Sequence, residues 1–121
     1  MIADRRTSVA FTGHRTYRGA AADALRRTVG ELYARGFRNF LSGMAVGFDL
    51  AAAEAVLELR ERVPGVRLVA AVPFRGQEMR FSPADRERFR RVLAEADSVE
   101  VLAPAYHRGC YAVRNDFLVD N

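Results

Sequence analysis

The 121-residue chain reads as a single α/β domain, a Rossmann-like three-layer α/β/α sandwich on a parallel sheet of about four strands. Three observations predict this. Short apolar runs alternate strictly with longer amphipathic stretches, a pattern that requires parallel strands joined by right-handed helical crossovers. Almost every run or stretch stops at a glycine or proline, the residues that punctuate local structure most strongly. Half of the residues are apolar and 28% are charged, the balance of an ordinary globular domain. A chain of this length buries roughly 65% of its unfolded surface, so one core is feasible without metal or disulfide staples. One domain over residues 1–121 is expected.

Ser8-Val9-Ala10-Phe11-Thr12 is a short apolar run closed by Gly13, which predicts a buried strand ending in a turn. Leu25, Val29, Leu32 and Gly36 fall at i, i+4, i+7 and i+11, which predicts an amphipathic helix near residues 20–35 with Gly36 ending it. Phe40-Leu41-Ser42 is a second strand, stopped by Gly43. A helix rich in Ala, Leu and Glu is expected from about Phe48 to Arg62, stopping before Pro64-Gly65. Arg67 to Val72 is apolar almost throughout, as befits a parallel strand covered on both faces, and Pro73 ends it. Ser82-Pro83-Ala84-Asp85 supplies an N-cap, a proline at the first helical position and an acid three residues after the cap. The helix it opens has Phe89, Val92, Leu93 and Ala96 on its apolar side. Ser98 to Leu102 is the fourth strand, and a last helix is expected from near Cys110 to Val119.

Composition removes several chemistries. The chain has 19 Arg and no Lys, so Schiff-base and Walker A lysines are excluded. One Cys and two His leave no structural zinc site within one chain and no disulfide framework. No metal or cofactor is expected. No apolar run approaches the ~20 residues of a membrane span, and the first residues lack a signal peptide's apolar stretch, so a cytoplasmic protein without membrane contact is expected. The formal charge of +4 permits nucleic-acid binding, but most arginines sit beside acids on helical segments and read as solvated faces. A few arginines serve a smaller anion, such as a nucleotide phosphate, equally well.

In open parallel sheets, ligands bind outside the carboxyl ends of the strands, and the unusual residues fall there. Thr12-Gly13-His14-Arg15-Thr16 follows the first strand and Ser42-Gly43-Met44-Ala45-Val46-Gly47-Phe48-Asp49 the second. Pro73-Phe74-Arg75-Gly76-Gln77 follows the third and Tyr106-His107-Arg108-Gly109 the fourth. Glycines in the first two loops let backbone amides approach an anion, and each loop feeds a helix N-terminus whose dipole favours negative charge. Arg15 suits a phosphate through its planar fork, Ser42 offers a hydroxyl, and Asp49 has the sign for a ribose hydroxyl or a base amine. Plainer roles stand beside these. Gly13 and Gly43 also fit ordinary βα turns, Asp49 a first-turn acid, His14 and His107 loop hydrogen-bonders, and Cys110 a small buried residue. Phe74 suits the core as well as a base stack. Neither G-x-G-x-x-G nor a P-loop is present.

Together, Thr12-Gly13-His14-Arg15, the Ser42 to Asp49 turn before an Ala-rich helix, Pro73-Phe74 with Gln77, and Val113-Arg114-Asn115 before Leu118-Val119-Asp120 resemble the SLOG superfamily. The YpsA-like branch is the nearest in pattern, related to the DNA-processing protein DprA and to the LOG phosphoribohydrolases. The resemblance spans nearly the whole chain. It implies a Rossmann-like domain that senses a nucleotide or nucleotide-derived ligand, bound by Gly13 and Arg15 with His14 between them, Ser42, Gly43, Gly47, Asp49, Gln77, Arg114 and Asn115. The LOG turn P-G-G-x-G-T with its following Glu has no counterpart here. Relatives continue past the segment ending at Asn121 into a further strand and helix. The chain is thus expected to be short at its C-terminus, with part of the pocket missing or the flank of the fourth strand covered by a partner chain in a homodimer. Two other functions stay open: an N-glycosidase or nucleotide hydrolase in which Asp49 assists at the sugar, and single-stranded DNA binding of the DprA kind. The second lacks a visible stacking platform among the 12 Phe and Tyr.

Overall fold

A computed structural model describes residues 7–11 and 22–120 of the chain. Strands β1 (Ser8–Phe11), β2 (Asn39–Ser42), β3 (Arg67–Val72) and β4 (Ser98–Val101) alternate with helices α1 (Ala22–Ala34), α2 (Phe48–Arg60), α3 (Pro83–Glu95) and α4 (Cys110–Asp120). The four strands form one parallel sheet in the order β1-β2-β3-β4. This is the Rossmann-like α/β sandwich that the alternation requires. The third strand matches its expected limits, while a 3-10 turn over Gln77–Arg80, ahead of α3, is an element the pattern did not announce.

Alternate residues of the strands divide the core. Phe11, Phe40, Leu68, Ala70 and Val72 face α1, α2 and α3 and form the main cluster with Val29, Leu50, Val56, Phe89 and Val92. Leu41, Val69 and Ala71 point the other way, where Phe117 and Leu118 of α4 cover them. Burying a Leu, Val or Phe side chain contributes about 1.5–3 kcal/mol. β3 is covered on both faces from Leu68 to Val72, five of its six residues being buried. Three helices therefore share one face and α4 lies on the other.

The arginine-rich segments tie helix to helix. Arg88 reaches Glu54 of α2 and Asp85 of its own helix, and Arg26 joins Asp23 and Glu58. The hydrogen bond to Glu54 leads the causes that raise the Arg88 guanidinium above its ordinary pKa. Among the described residues, no helix is long and apolar enough to cross a membrane.

Candidate functional site

The site grows out of the turn between β2 and α2. Ser42 is fully buried; its hydroxyl donates to the Asp49 carbonyl at 2.9 Å and accepts the Met44 amide at 3.2 Å. That clamp holds Met44 at φ 64°, a left-handed conformation that costs an L-residue about 1–2 kcal/mol. Asp49, 2% exposed, lies beneath the turn and accepts the Ala45 amide on Oδ2 at 3.3 Å. Gly47 has φ 94° and ψ −120°, a region that glycine alone enters readily. The turn is thus sewn from inside by Ser42 and Asp49. Among the described residues, neither the Val46 nor the Gly47 N–H has an acceptor, and both lie at the positive end of the α2 dipole.

Arg114 of α4 closes one side. It is 8% exposed, donates from Nη1 to the Gly43 carbonyl at 2.8 Å and from Nε to Asn115 Oδ1 at 3.0 Å. Glycine at position 43 permits this approach. A Cβ there would lie 2.8 Å from Asp49 Oδ2 and 2.9 Å from Arg114 Cδ.

A cavity of about 540 Å³ opens in front of this turn. Ala45 and Val46 line it from the β2–α2 turn, Gln77, Arg80, Phe81 and Ser82 from the approach to α3, Asp85 from the first turn of α3, and Tyr111 and Arg114 from the first turns of α4. It lies where the helices change sides of the sheet, between α3 on one face and α4 on the other. Three helix N-termini converge on it. Ser82 caps α3 by accepting the Asp85 amide at 3.2 Å, so that end is formed as the sequence predicts. Arg80 and Arg114 outnumber Asp85, whose carboxylate is paired with Arg88 at 3.1 Å. Gln77 is 3% exposed and donates weakly from Nε2 to the Met44 carbonyl at 3.5 Å. Its Oε1 is buried with no hydrogen-bond partner among the described residues. Leaving a buried acceptor unpaired costs about 1–3 kcal/mol.

Of the residues singled out by sequence, Gln77 and Arg114 line the cavity, Ser42, Gly43, Gly47 and Asp49 build its turn, and Asn115 is exposed beside Arg114. Gly13, His14 and Arg15 lie outside the described residues. Arg80, Tyr111, Ser82 and Asp85 are lining residues that the motif reading passed over. Locating the helix starts that follow β3 and β4 was the signal for them. No cluster of His, Cys, Asp and Glu that could hold a metal occurs among the described residues.

The sequence model of the YspA SLOG family matches residues 9–121. The chain belongs to this family. It is also similar to UPF0398 proteins: one of Shouchella clausii at 40% identity over 61% of this chain and 41% of that protein, and one of Halalkalibacterium halodurans at 30% over 79% and 52%. A UPF0398 protein of Bacillus pumilus is 33% identical over 63% of this chain and 41% of its own. The chain thus spans about half or less of the length of these YspA SLOG relatives.

Proposed function

We propose that the domain binds a nucleotide or nucleotide-derived ligand at the carboxyl ends of its strands, as a sensor rather than as a catalyst. The observation that carries this reading is the cavity of about 540 Å³, within the roughly 300–1,000 Å³ of small-molecule sites, with two arginines and three helix N-termini facing it. Such a wall favours an anion. The Val46 and Gly47 amides hold a phosphate, Arg114 and Arg80 clamp it, and Ser42, Gly43 and Asp49 keep the turn in shape. Gly13, His14 and Arg15 belong to the same cradle by sequence pattern, and Asn115 fixes the Arg114 guanidinium.

Thermal-shift titration with nucleoside mono- and diphosphates and ADP-ribose tests the reading. A dose-dependent rise in melting temperature is expected. Arg80→Ala, at an exposed position, weakens it roughly tenfold without changing the unliganded melting temperature, and Arg15→Ala abolishes it. Failure of every phosphate ligand to shift the protein refutes the proposal, and release of free base during the titration would move it to a hydrolase.

A further inference from the structure

Three aromatic rings separated in the chain meet beside the cavity, which Tyr111 lines. Phe74 contacts Tyr106 edge-on at 5.4 Å and 88°, and Tyr111 at 6.0 Å and 80°. Tyr106 and Tyr111 lie 6.4 Å apart. Phe74 is buried, Tyr111 is half-buried and lines the cavity, and Tyr106 is 50% exposed. The Arg80 guanidinium stands 5.0 Å from the Tyr106 ring and also lines the cavity. Edge-to-face packing fixes the orientation of these rings, so Tyr106 is a half-exposed aromatic surface held by two ring neighbours, with the Arg80 guanidinium over it and that of Arg114 5.4 Å over Tyr111. Rings and guanidinium planes together offer the flat, polarisable surface on which a nucleobase stacks.

Resting on the nucleotide reading, we infer that the Tyr106–Tyr111 wall with Arg80 is a nucleobase subsite. The ligand lies with its phosphates toward the Val46–Gly47 turn and Arg114, and its base against the aromatic edge. Stacking on an aromatic side chain is tolerant of base identity, so the subsite distinguishes base-bearing ligands from bare phosphates more strongly than one base from another. Arg80 bridges the two halves, touching the ring on one side and facing the cavity on the other.

The test is isothermal titration of wild type, Tyr106→Ala and Tyr106→Phe with pyrophosphate, ribose 5-phosphate and ADP. ADP is expected to bind wild type more tightly than ribose 5-phosphate. Tyr106→Ala is expected to weaken ADP roughly 5- to 100-fold and leave pyrophosphate unchanged, and Tyr106→Phe to retain ADP binding. ADP binding equal in wild type and Tyr106→Ala overturns the subsite while leaving the phosphate cradle standing. Loss of pyrophosphate and ADP binding alike in wild type removes the cradle itself. Tighter binding of an unstructured oligonucleotide than of ADP, lost in Tyr106→Ala, overturns the mononucleotide assignment in favour of a single-strand platform.

Discussion

Gly43→Ala isolates the contact on which the site's shape depends. Gly43 is outside the left-handed region, so alanine suffers no backbone penalty there, and the effect is purely one of space. The new methyl carbon would sit 2.8 Å from Asp49 Oδ2 and 2.9 Å from Arg114 Cδ, at least half an ångström inside ordinary van der Waals contact. Neither neighbour retreats freely, since Asp49 Oδ2 holds the Ala45 amide and Arg114 Nη1 holds the Gly43 carbonyl. Overpacking costs about 1–3 kcal/mol, and losing a hydrogen bond to a charged donor adds about 1.5–3. Part of that strain relaxes through Arg114, so a net loss of about 2–4 kcal/mol is expected, a fall in melting temperature on the order of 10 °C for a domain of this size. Gly30→Ala is the control. Gly30 lies inside α1, and a Cβ there meets nothing within 4 Å, so the change is expected to stabilise by about 0.5–1 kcal/mol. Urea and thermal denaturation of both variants beside wild type measure the contrast. A Gly43→Ala protein within about 0.5 kcal/mol of wild type would refute the claim that Asp49 and Arg114 are packed against that backbone.

Gln77→Leu exchanges a buried amide, whose Oε1 lacks a partner among the described residues, for an apolar group of similar volume. Unliganded stability is expected to stay level or rise by about 1 kcal/mol while the ADP-induced shift shrinks, as read by melting curves with and without ADP; a large loss of stability would mean that the Met44 contact is structural. Ser42→Ala strands the Met44 amide in a buried turn and removes one of the bonds to the Asp49 carbonyl, so urea denaturation should show a loss of about 1–3 kcal/mol.

The elements were legible because their signals are local. The Ser82-Pro83-Asp85 cap fixes the start of α3 by three neighbouring residues, and the apolar run Arg67–Val72 is itself β3. The cavity lining was legible only where a motif residue also reaches it, as Gln77 and Arg114 do. Ser42 and Asp49 illustrate the limit: their chemistry suits a sugar or phosphate, yet both are almost fully buried and bonded within the turn. Their residue types mark the loop, and only packing says which way it turns them. Phe74, Tyr106 and Tyr111 show the converse. Each reads alone as core or loop, and the aromatic cluster forms only once β3, β4 and α4 bring them together.

The proposed binding role and an N-glycosidase role make different demands on the carboxylates. Hydrolysis of a glycosidic bond by the usual route uses two carboxylates roughly 5–9.5 Å apart with the scissile bond between them. Asp49 is 2% exposed and holds the Ala45 amide, and Asp85 is paired with Arg88. For cleavage at the sugar, a wall that grips only the remote phosphate lends affinity rather than acceleration. Asp49→Asn should therefore act on the turn rather than on a reacting sugar. Its side-chain oxygen still accepts the Ala45 amide, so a loss of about 1 kcal/mol is expected, with ADP binding largely retained. Chromatography of ADP and nucleoside monophosphates incubated with wild type should show no free base. Base release by wild type that disappears in Asp49→Asn would place Asp49 at the reacting sugar and reverse the assignment, because a carboxylate that braces a turn has no such signature.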